Sequence, residues 1–277
     1  MITFKEYLRT IDLSEAIEGL HPDLQKHLDN PKQFLKTKSA LEKSGEDTGM
    51  TTEKHGSGSR FYIPQKNKTK IKLDGKDTEI HAGIKFHNPG FSLNAHHPNG
   101  RGESFGRDQN VHESDVSHHY GTMKKDENGH FQHNEHGCVA TVLSHGDDHD
   151  HIVQEKLDKF NAKRFEKETK SESHPKGMKF KHFQAALQRE WAHAQGRNHY
   201  SSVSDEDMDK AMDNPHTQRF HDMCMNTRTS PNDFDPRNMG HSTNPHTGES
   251  RPALLDGGAS DHILSNYGKA RKSKWRV

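Results

Sequence analysis

The spacing of apolar residues changes twice along the chain, and each change marks a predicted region. In residues 1–45 apolar side chains recur every three or four positions, the spacing of one face of a helix. Residues 46–157 hold short runs that alternate or are continuously apolar, as strands do. Helical spacing returns in residues 158–277. The pattern predicts an α+β fold with a helical preface, a β-rich part and a helical part.

Local signals predict the individual elements within these parts. The first predicted helical stretch carries Leu8, Ile11, Leu13, Ile17 and Leu20 and is interrupted by Pro22. The other predicted helices are residues 31–43, 107–120, 182–195, 205–212 and 215–225. The predicted strands are residues 60–63, 69–73, 78–86, 138–144, 151–157 and 251–256. Strands 138–144 and 151–157 flank the polar segment HGDDHD, which predicts a hairpin.

Composition narrows the function classes. Lys and Arg together number 40, and Asp and Glu together also number 40, so the formal net charge is zero. This balance argues against a strongly basic nucleic-acid binder and against an acidic tail. Two cysteines in 277 residues are too few for a disulfide framework and favour a reducing cytosol. The sequence contains neither an apolar run of membrane-spanning length nor a signal-peptide core, so we expect a cytoplasmic protein with no membrane partner.

The segment DFDPRN at 233–238 and the segment LLDGG at 254–258 carry the most specific chemistry. Phosphoryl transfer from ATP needs a carboxylate at the acceptor hydroxyl, together with oxygen ligands for Mg²⁺. A loop with Asp-x-x-x-x-Asn can place an acid near the acceptor and an amide near the metal. A strand that ends in Asp-x-Gly then supplies the second metal ligand.

These two segments resemble motifs of the protein-kinase-like superfamily. DFDPRN is similar to the catalytic-loop motif D-L-H-P-G-N of aminoglycoside phosphotransferases and related small-molecule kinases, and LLDGG is similar to their metal-binding D-x-G motif. The resemblance implies a two-lobed fold with a small antiparallel β-rich N-lobe at 46–157 and a helical C-lobe at 158–277. It also implies that Asp233 is the catalytic acid or base, and that Asn238 and Asp256 hold Mg²⁺.

Two features of the β-rich part agree in order with the same resemblance. The segment GSGSR, with Gly56 and Gly58, resembles the start of a glycine-rich loop over the phosphates of ATP, although Phe61 replaces the third glycine. Lys85, on the alternating strand GIKF, resembles the strand lysine that contacts those phosphates, and Lys72 is the alternative.

The kinase-like order continues with a helix and a hinge strand. Glu113 is placed to be the helix glutamate that pairs with the strand lysine, and Glu103 is the alternative. HIVQEKL at 151–157 resembles the strand that leads into the hinge between lobes. The backbone around Glu155 would then contact the adenine edge.

Several departures limit which kinase-like protein the chain resembles. Pro231 stands where the catalytic loop usually has His, and Gly257 stands where Phe usually follows the metal-binding Asp. Only 21 residues follow Asp256, too few for a long activation segment and late helices. A compact small-molecule kinase or a minimal phage-type kinase fits better.

The opening MITFKEYL also resembles small proteins of large tailed phages, which implies an infected bacterium or a virion. The hydroxyl acceptor, whether a small molecule or a host protein, stays open.

Three alternative functions remain, and two of them are suggested by the 25 histidines. The spacing His133-x-x-His136-x-Cys138 offers three zinc ligands, but no CxxC pair completes a cysteine-rich site. The segments HHPNG and HNEHG suggest a His–Asn–His metal nuclease, which would need a water-activating His and a metal bound to phosphate. A non-catalytic kinase-like structural or virion protein is the third alternative.

Overall fold

The computed structural model describes residues 17–55, 59–88 and 105–256, and these residues form an α+β fold. Its seven helices are α1 (Pro22–Gln25), α2 (Pro31–Ser44), α3 (Phe105–Tyr120), α4 (Ala162–Glu168), α5 (Phe180–Ala194), α6 (Asp205–Met212) and α7 (Pro215–Thr227). A 3₁₀ turn at Pro231–Asp233 follows α7. No helix among the described residues is long and apolar enough to span a membrane.

Polar caps explain where several helices begin. The side chain of Asn30 accepts a hydrogen bond from the backbone N–H of Gln33, and Pro31 occupies the first turn of α2. Ser204 caps α6 in the same way. Gly45, with φ +82°, ends α2 in the left-handed conformation that glycine adopts without a steric penalty.

Eleven strands in the described residues form three sheets. They are β1 (Arg60–Pro64), β2 (Thr69–Leu73), β3 (Lys76–Ile80), β4 (Ala82–His87), β5 (Met123–Lys125), β6 (Phe131–His133), β7 (Val142–His145), β8 (His151–Glu155), β9 (Asp158–Lys159), β10 (Met239–Thr243) and β11 (Ser250–Leu254). The sheet orders are β1-β4-β8-β7, β3-β2-β6-β5 and β11-β10-β9.

The chain divides into two compact units that interleave along the sequence. Unit 1 comprises Met1–Ile71, Glu79–Asn110 and Leu143–Glu155, and unit 2 comprises Lys72–Thr78, Val111–Val142 and Lys156–Val277. The predicted division at 1–45, 46–157 and 158–277 follows sequence order and stays a prediction.

The core of unit 1 lies between α2 and one face of the β1-β4-β8-β7 sheet. Phe34 of α2 is fully buried, and its ring centroid lies 4.6 Å from that of Phe86 on β4. Phe61 of β1 stacks on the same ring at 5.4 Å. Since side chains alternate along a strand, residues next to these aromatics point to the opposite face.

The core of unit 2 is aromatic and lies among its helices. Phe183 of α5 contacts Phe165 of α4 at 5.3 Å and Phe220 of α7 at 5.1 Å, both edge to face. Such pairs add about 0.5–1.5 kcal/mol each beyond the area that they bury. Phe234, in the polar segment after α7, completes the cluster.

Most predicted elements are present, and the differences have physical causes. The five predicted helices from residue 31 onward are confirmed within one to two residues at most ends, whereas the stretch predicted before Pro22 lies outside the described residues as far as residue 16. The prediction of one strand over 78–86 is wrong, since β3 and β4 are separate and His81 lies between them. The prediction of a strand over 138–144 is wrong for 138–141, which make only isolated bridges, through Val139. The hairpin is confirmed, because β7 lies beside β8.

Strands after residue 158 were not predicted, apart from the one at 251–256. β9, β10 and β11 form a sheet within the part expected to be helical. The segment Met239–Thr243 has few apolar residues, so its strand pattern is weak in the sequence. Its pairing with β11 supplies the hydrogen bonds that stabilise it.

Candidate functional site

The predicted catalytic loop follows α7 and is anchored by an aromatic side chain. Asp233 is the last residue of the 3₁₀ turn, and its side chain lies outside the described part of the structure. Phe234 is fully buried, stacks on Phe183 at 6.2 Å and meets Phe220 edge to face at 5.6 Å. Gln184 of α5 donates a hydrogen bond to the Phe234 carbonyl at 2.7 Å. The loop is therefore fixed to the helical core at a point between Asp233 and Asn238.

A tight turn sets the backbone between that anchor and Asn238. The carboxylate of Asp235 accepts hydrogen bonds from the backbone N–H of Arg237 at 2.7 Å and from its guanidinium at 2.8 Å. The hydrogen bond from Arg237 holds the pKa of Asp235 below its usual value. The Asn238 N–H donates to the Asp235 carbonyl at 3.0 Å. The hydrogen bonds of Asp235 therefore stabilise the turn.

The two predicted metal ligands flank one β-hairpin. Asn238 immediately precedes β10, and Asp256 follows β11 by two residues. Met239 pairs with Leu254, and the Leu255 N–H donates to the Asn238 carbonyl at 2.7 Å. This bond brings Asn238 beside the residue that precedes Asp256. Both candidate ligands are only half-buried.

A buried polar network joins the β10–β11 hairpin to α4. His241 of β10 is fully buried, and its Nδ1 lies 2.6 Å from a carboxylate oxygen of Glu168 on α4. Arg164 and Ser250 also donate hydrogen bonds to Glu168. Sequence reasoning did not identify this network, because its members lie up to 86 residues apart. The network joins β10 and β11 to α4.

Lys85 lies in unit 1 on the face of the sheet opposite Phe86. It pairs with Tyr62 of β1 on one side and with Ile152 of β8 on the other, and it is only 4% exposed. The alternative Lys72 is exposed on β2, as expected of a solvated lysine. A buried lysine needs compensating groups, so Lys85 is the stronger candidate.

The structure describes two of the remaining predicted residues and leaves the others outside the described ranges. Glu113 lies on α3 as predicted and is fully buried, whereas its pairing with Lys85 stays a prediction. Glu155 is the last residue of β8 and is buried. Gly56, Gly58 and the alternative Glu103 lie outside the described residues.

The glycine-rich segment is bracketed by a described strand pairing. His55 and Tyr62 exchange backbone hydrogen bonds of 2.9 and 2.8 Å. The chain before Gly56 is therefore held against β1, the strand next to Lys85.

The structure describes part of the two alternatives that were based on histidines. Cys138 is buried, and burial raises the pKa of its thiol to about 12. Asn134 of HNEHG donates to the Gly121 carbonyl at 2.8 Å and accepts from the His136 N–H at 3.2 Å. Among the residues that the structure describes, no group of three or more His, Cys, Asp or Glu could hold a metal. The segment HHPNG lies outside those residues.

Comparison with known proteins identifies no relative. No protein-family model, no curated protein and no solved structure matches the chain.

Proposed function

We propose that the protein is an ATP-dependent phosphotransferase that transfers the γ-phosphoryl group to a hydroxyl of a small molecule or a protein. The observation that carries this proposal is the backbone hydrogen bond between Leu255 and Asn238. It supports a site in which the Asn238 amide oxygen and the Asp256 carboxylate bind one Mg²⁺. Magnesium binds through one or two carboxylates and completes its shell with water and phosphate oxygens.

The other residues take the roles that the kinase resemblance implies. Lys85 would neutralise the phosphates and Glu113 would hold it, while Gly56 and Gly58 would cover the phosphates with backbone. The chain at Glu155 would contact the adenine edge. The order of strand, helix, second strand, loop and hairpin along the chain supports these assignments.

In the transfer step, Asp233 accepts the proton of the acceptor hydroxyl. The acceptor oxygen then bonds to the γ-phosphorus, and the bond from that phosphorus to the β–γ bridging oxygen breaks. ADP would leave with the electron pair, and Mg²⁺ held by Asn238 and Asp256 would supply positive charge to offset the charge that develops on the ADP oxygens. Positioning and electrostatic stabilisation supply most of the rate.

Thermal unfolding with and without Mg-ATP tests the nucleotide site. A ligand at 100 times its dissociation constant stabilises the folded state by about 2.7 kcal/mol, which raises the unfolding midpoint measurably. We expect the rise in the wild type and in Glu249→Gln, an exposed carboxylate in the connection between β10 and β11. Asp256→Asn, which keeps the side-chain shape, should abolish it. A wild type whose midpoint Mg-ATP leaves unchanged would overturn the proposal.

A second experiment separates binding from chemistry. Asp233→Asn should retain the Mg-ATP shift but lose transfer of the labelled γ-phosphoryl group to water or acceptor. A wild type that binds Mg-ATP without any transfer would support the non-catalytic alternative. Transfer that survives Asp233→Asn would remove Asp233 from its assigned role.

A further inference from the structure

The hydroxyl of Tyr62 has no hydrogen-bond partner among the described residues, although it is buried. The residue as a whole is 8% exposed. Buried tyrosine hydroxyls usually have a partner, since water that solvates them in the unfolded chain is lost on folding. A buried donor without a partner is therefore a feature that a ligand could satisfy.

The position of Tyr62 in the sheet indicates which ligand this is. Tyr62 of β1 lies directly across from Lys85 on β4, so both side chains occupy the same face of the sheet. That face is opposite the one on which Phe34 and Phe86 pack. Tyr62 also follows closely after the glycine-rich segment. It thus lies beside Lys85, to which the proposed function assigns phosphate contacts.

Gly83 lies beneath the phenol ring. A Cβ added at Gly83 would lie 2.3 Å from Tyr62 Cζ and 2.4 Å from its oxygen, so only glycine permits this placement. Because Gly83 is two residues before Lys85 on β4, the ring reaches diagonally along the sheet away from the lysine. Gly83 pairs with Gln154 of β8, the neighbour of Glu155. The hydroxyl therefore lies between Lys85 and the end of the hinge strand.

The electrostatic setting keeps this hydroxyl a donor. Burial, and next the nearby carboxylate of Glu155, raise the pKa of Tyr62 far above its usual value. The phenol is therefore neutral at physiological pH and carries its proton. A neutral phenol can donate to an oxygen acceptor on a ligand.

We propose that the Tyr62 hydroxyl donates a hydrogen bond to the ribose–α-phosphate portion of the nucleotide that Lys85 and Glu155 bind. This inference rests on the proposed function, which assigns the phosphates to Lys85 and the adenine edge to the chain at Glu155. The ribose and α-phosphate connect those two parts of the nucleotide. Tyr62 thus becomes a nucleotide-binding residue on the sheet, for which the kinase-like motifs gave no indication.

Calorimetric titration of Tyr62→Phe with Mg-ATP and Mg-ADP tests the inference. The variant removes only the oxygen and keeps the ring over Gly83, so the free protein should unfold at or slightly above the wild-type midpoint. We expect the dissociation constants for both nucleotides to rise about tenfold, because both contain the ribose and α-phosphate. Tyr200→Phe, which alters a tyrosine that is 88% exposed, is the matched control and should bind like the wild type.

Three other outcomes of these titrations would contradict the Tyr62 contact or the proposed function. If the wild type binds Mg-ATP and Tyr62→Phe binds it equally well, the Tyr62 assignment fails while the proposed function stands. If Tyr62→Phe weakens ATP but not ADP, the hydroxyl faces the γ-phosphate and the stated contact is wrong. If the wild type binds neither nucleotide, the proposed function fails, and the Tyr62 contact fails with it.

Discussion

His241 and Glu168 form a buried imidazole–carboxylate pair, with Nδ1 of the histidine 2.6 Å from Oε2 of the glutamate. The other ring nitrogen of His241 accepts a hydrogen bond from the Asn161 N–H at 2.9 Å. Since that nitrogen accepts, the neutral ring carries its proton on Nδ1 and donates it to Glu168. This pair links β10 to α4 across 73 residues of sequence. It therefore supports the hairpin that begins after Asn238 and ends before Asp256.

Glu168→Gln tests the contribution of this pair to stability. Removing one partner of a buried charged network leaves the others without compensation, so we expect the variant to lose about 3 kcal/mol at pH 7. Urea unfolding measures the loss. Glu172→Gln, which alters an exposed carboxylate after α4, should unfold like the wild type.

The same comparison has a defined pH dependence. Burial acts to raise the pKa of Glu168, but hydrogen bonds from His241 and Ser250 outweigh it and hold that pKa below its usual value of 4.5. A group with a lowered folded-state pKa stabilises the protein above its unfolded value, and this contribution disappears as pH falls through the folded-state pKa. The difference between wild type and Glu168→Gln should therefore shrink below about pH 4.5. A difference that stays constant with pH would contradict this assignment.

Phe234→Ala tests the aromatic anchor of the candidate catalytic loop. Removing a fully buried ring loses its transfer free energy and leaves a cavity, and we expect a loss of about 4 kcal/mol in urea unfolding. Phe234→Leu keeps most of the volume and should lose roughly 1 kcal/mol. Phe234→Ala should also weaken Mg-ATP binding more than Phe234→Leu does, because the ring holds the loop that ends at Asn238. Equal stabilities of the two variants would show that the ring does not hold the loop.

Two glycines of unit 2 provide a matched test of backbone conformation. Both have positive φ, +83° at Gly177 and +64° at Gly196. An added Cβ would lie 1.7 Å from the Glu166 carbonyl oxygen at Gly177, whereas nothing lies within 4 Å at Gly196. We expect Gly196→Ala to lose only the left-handed penalty of about 1–2 kcal/mol, and Gly177→Ala to lose clearly more. Equal losses of unfolding free energy would mean that the contact at Gly177 is relieved without cost.

Both cysteines should be unreactive in the native protein. Cys138 and Cys224 are buried, and burial raises the pKa of each thiol, that of Cys138 to about 12. Because the thiolate is the reactive form, a thiol reagent at pH 8 should label neither residue until the protein is unfolded in urea. Mass spectrometry of the labelled protein counts the modified thiols. Rapid native labelling at either position would contradict the described burial.

Local signals account for what the sequence by itself determined. Pro31 and Pro215 stand at the starts of two predicted helices, because a preset φ acts on the adjacent turn alone, and the structure adds the caps Asn30 and Asn214. The alternation through Ile84 and Phe86 predicts β4 with Lys85 on the other face, since side chains alternate along any strand. The α+β class and the position of the two motif segments follow from the same short-range information.

The tertiary structure decided the features that depend on contacts between residues far apart in the chain. Phe234 lies in a polar segment, and only its contacts with Phe183 and Phe220 show that it is a core residue. Likewise, Glu168 and His241 belong to segments with no pattern in common, and the β10–β11 pairing brings the histidine to α4. Tyr62 shows no motif, and the strand register alone sets it beside Lys85. Burial and cross-strand pairing are set by packing, which a single sequence records only through its local periodicity.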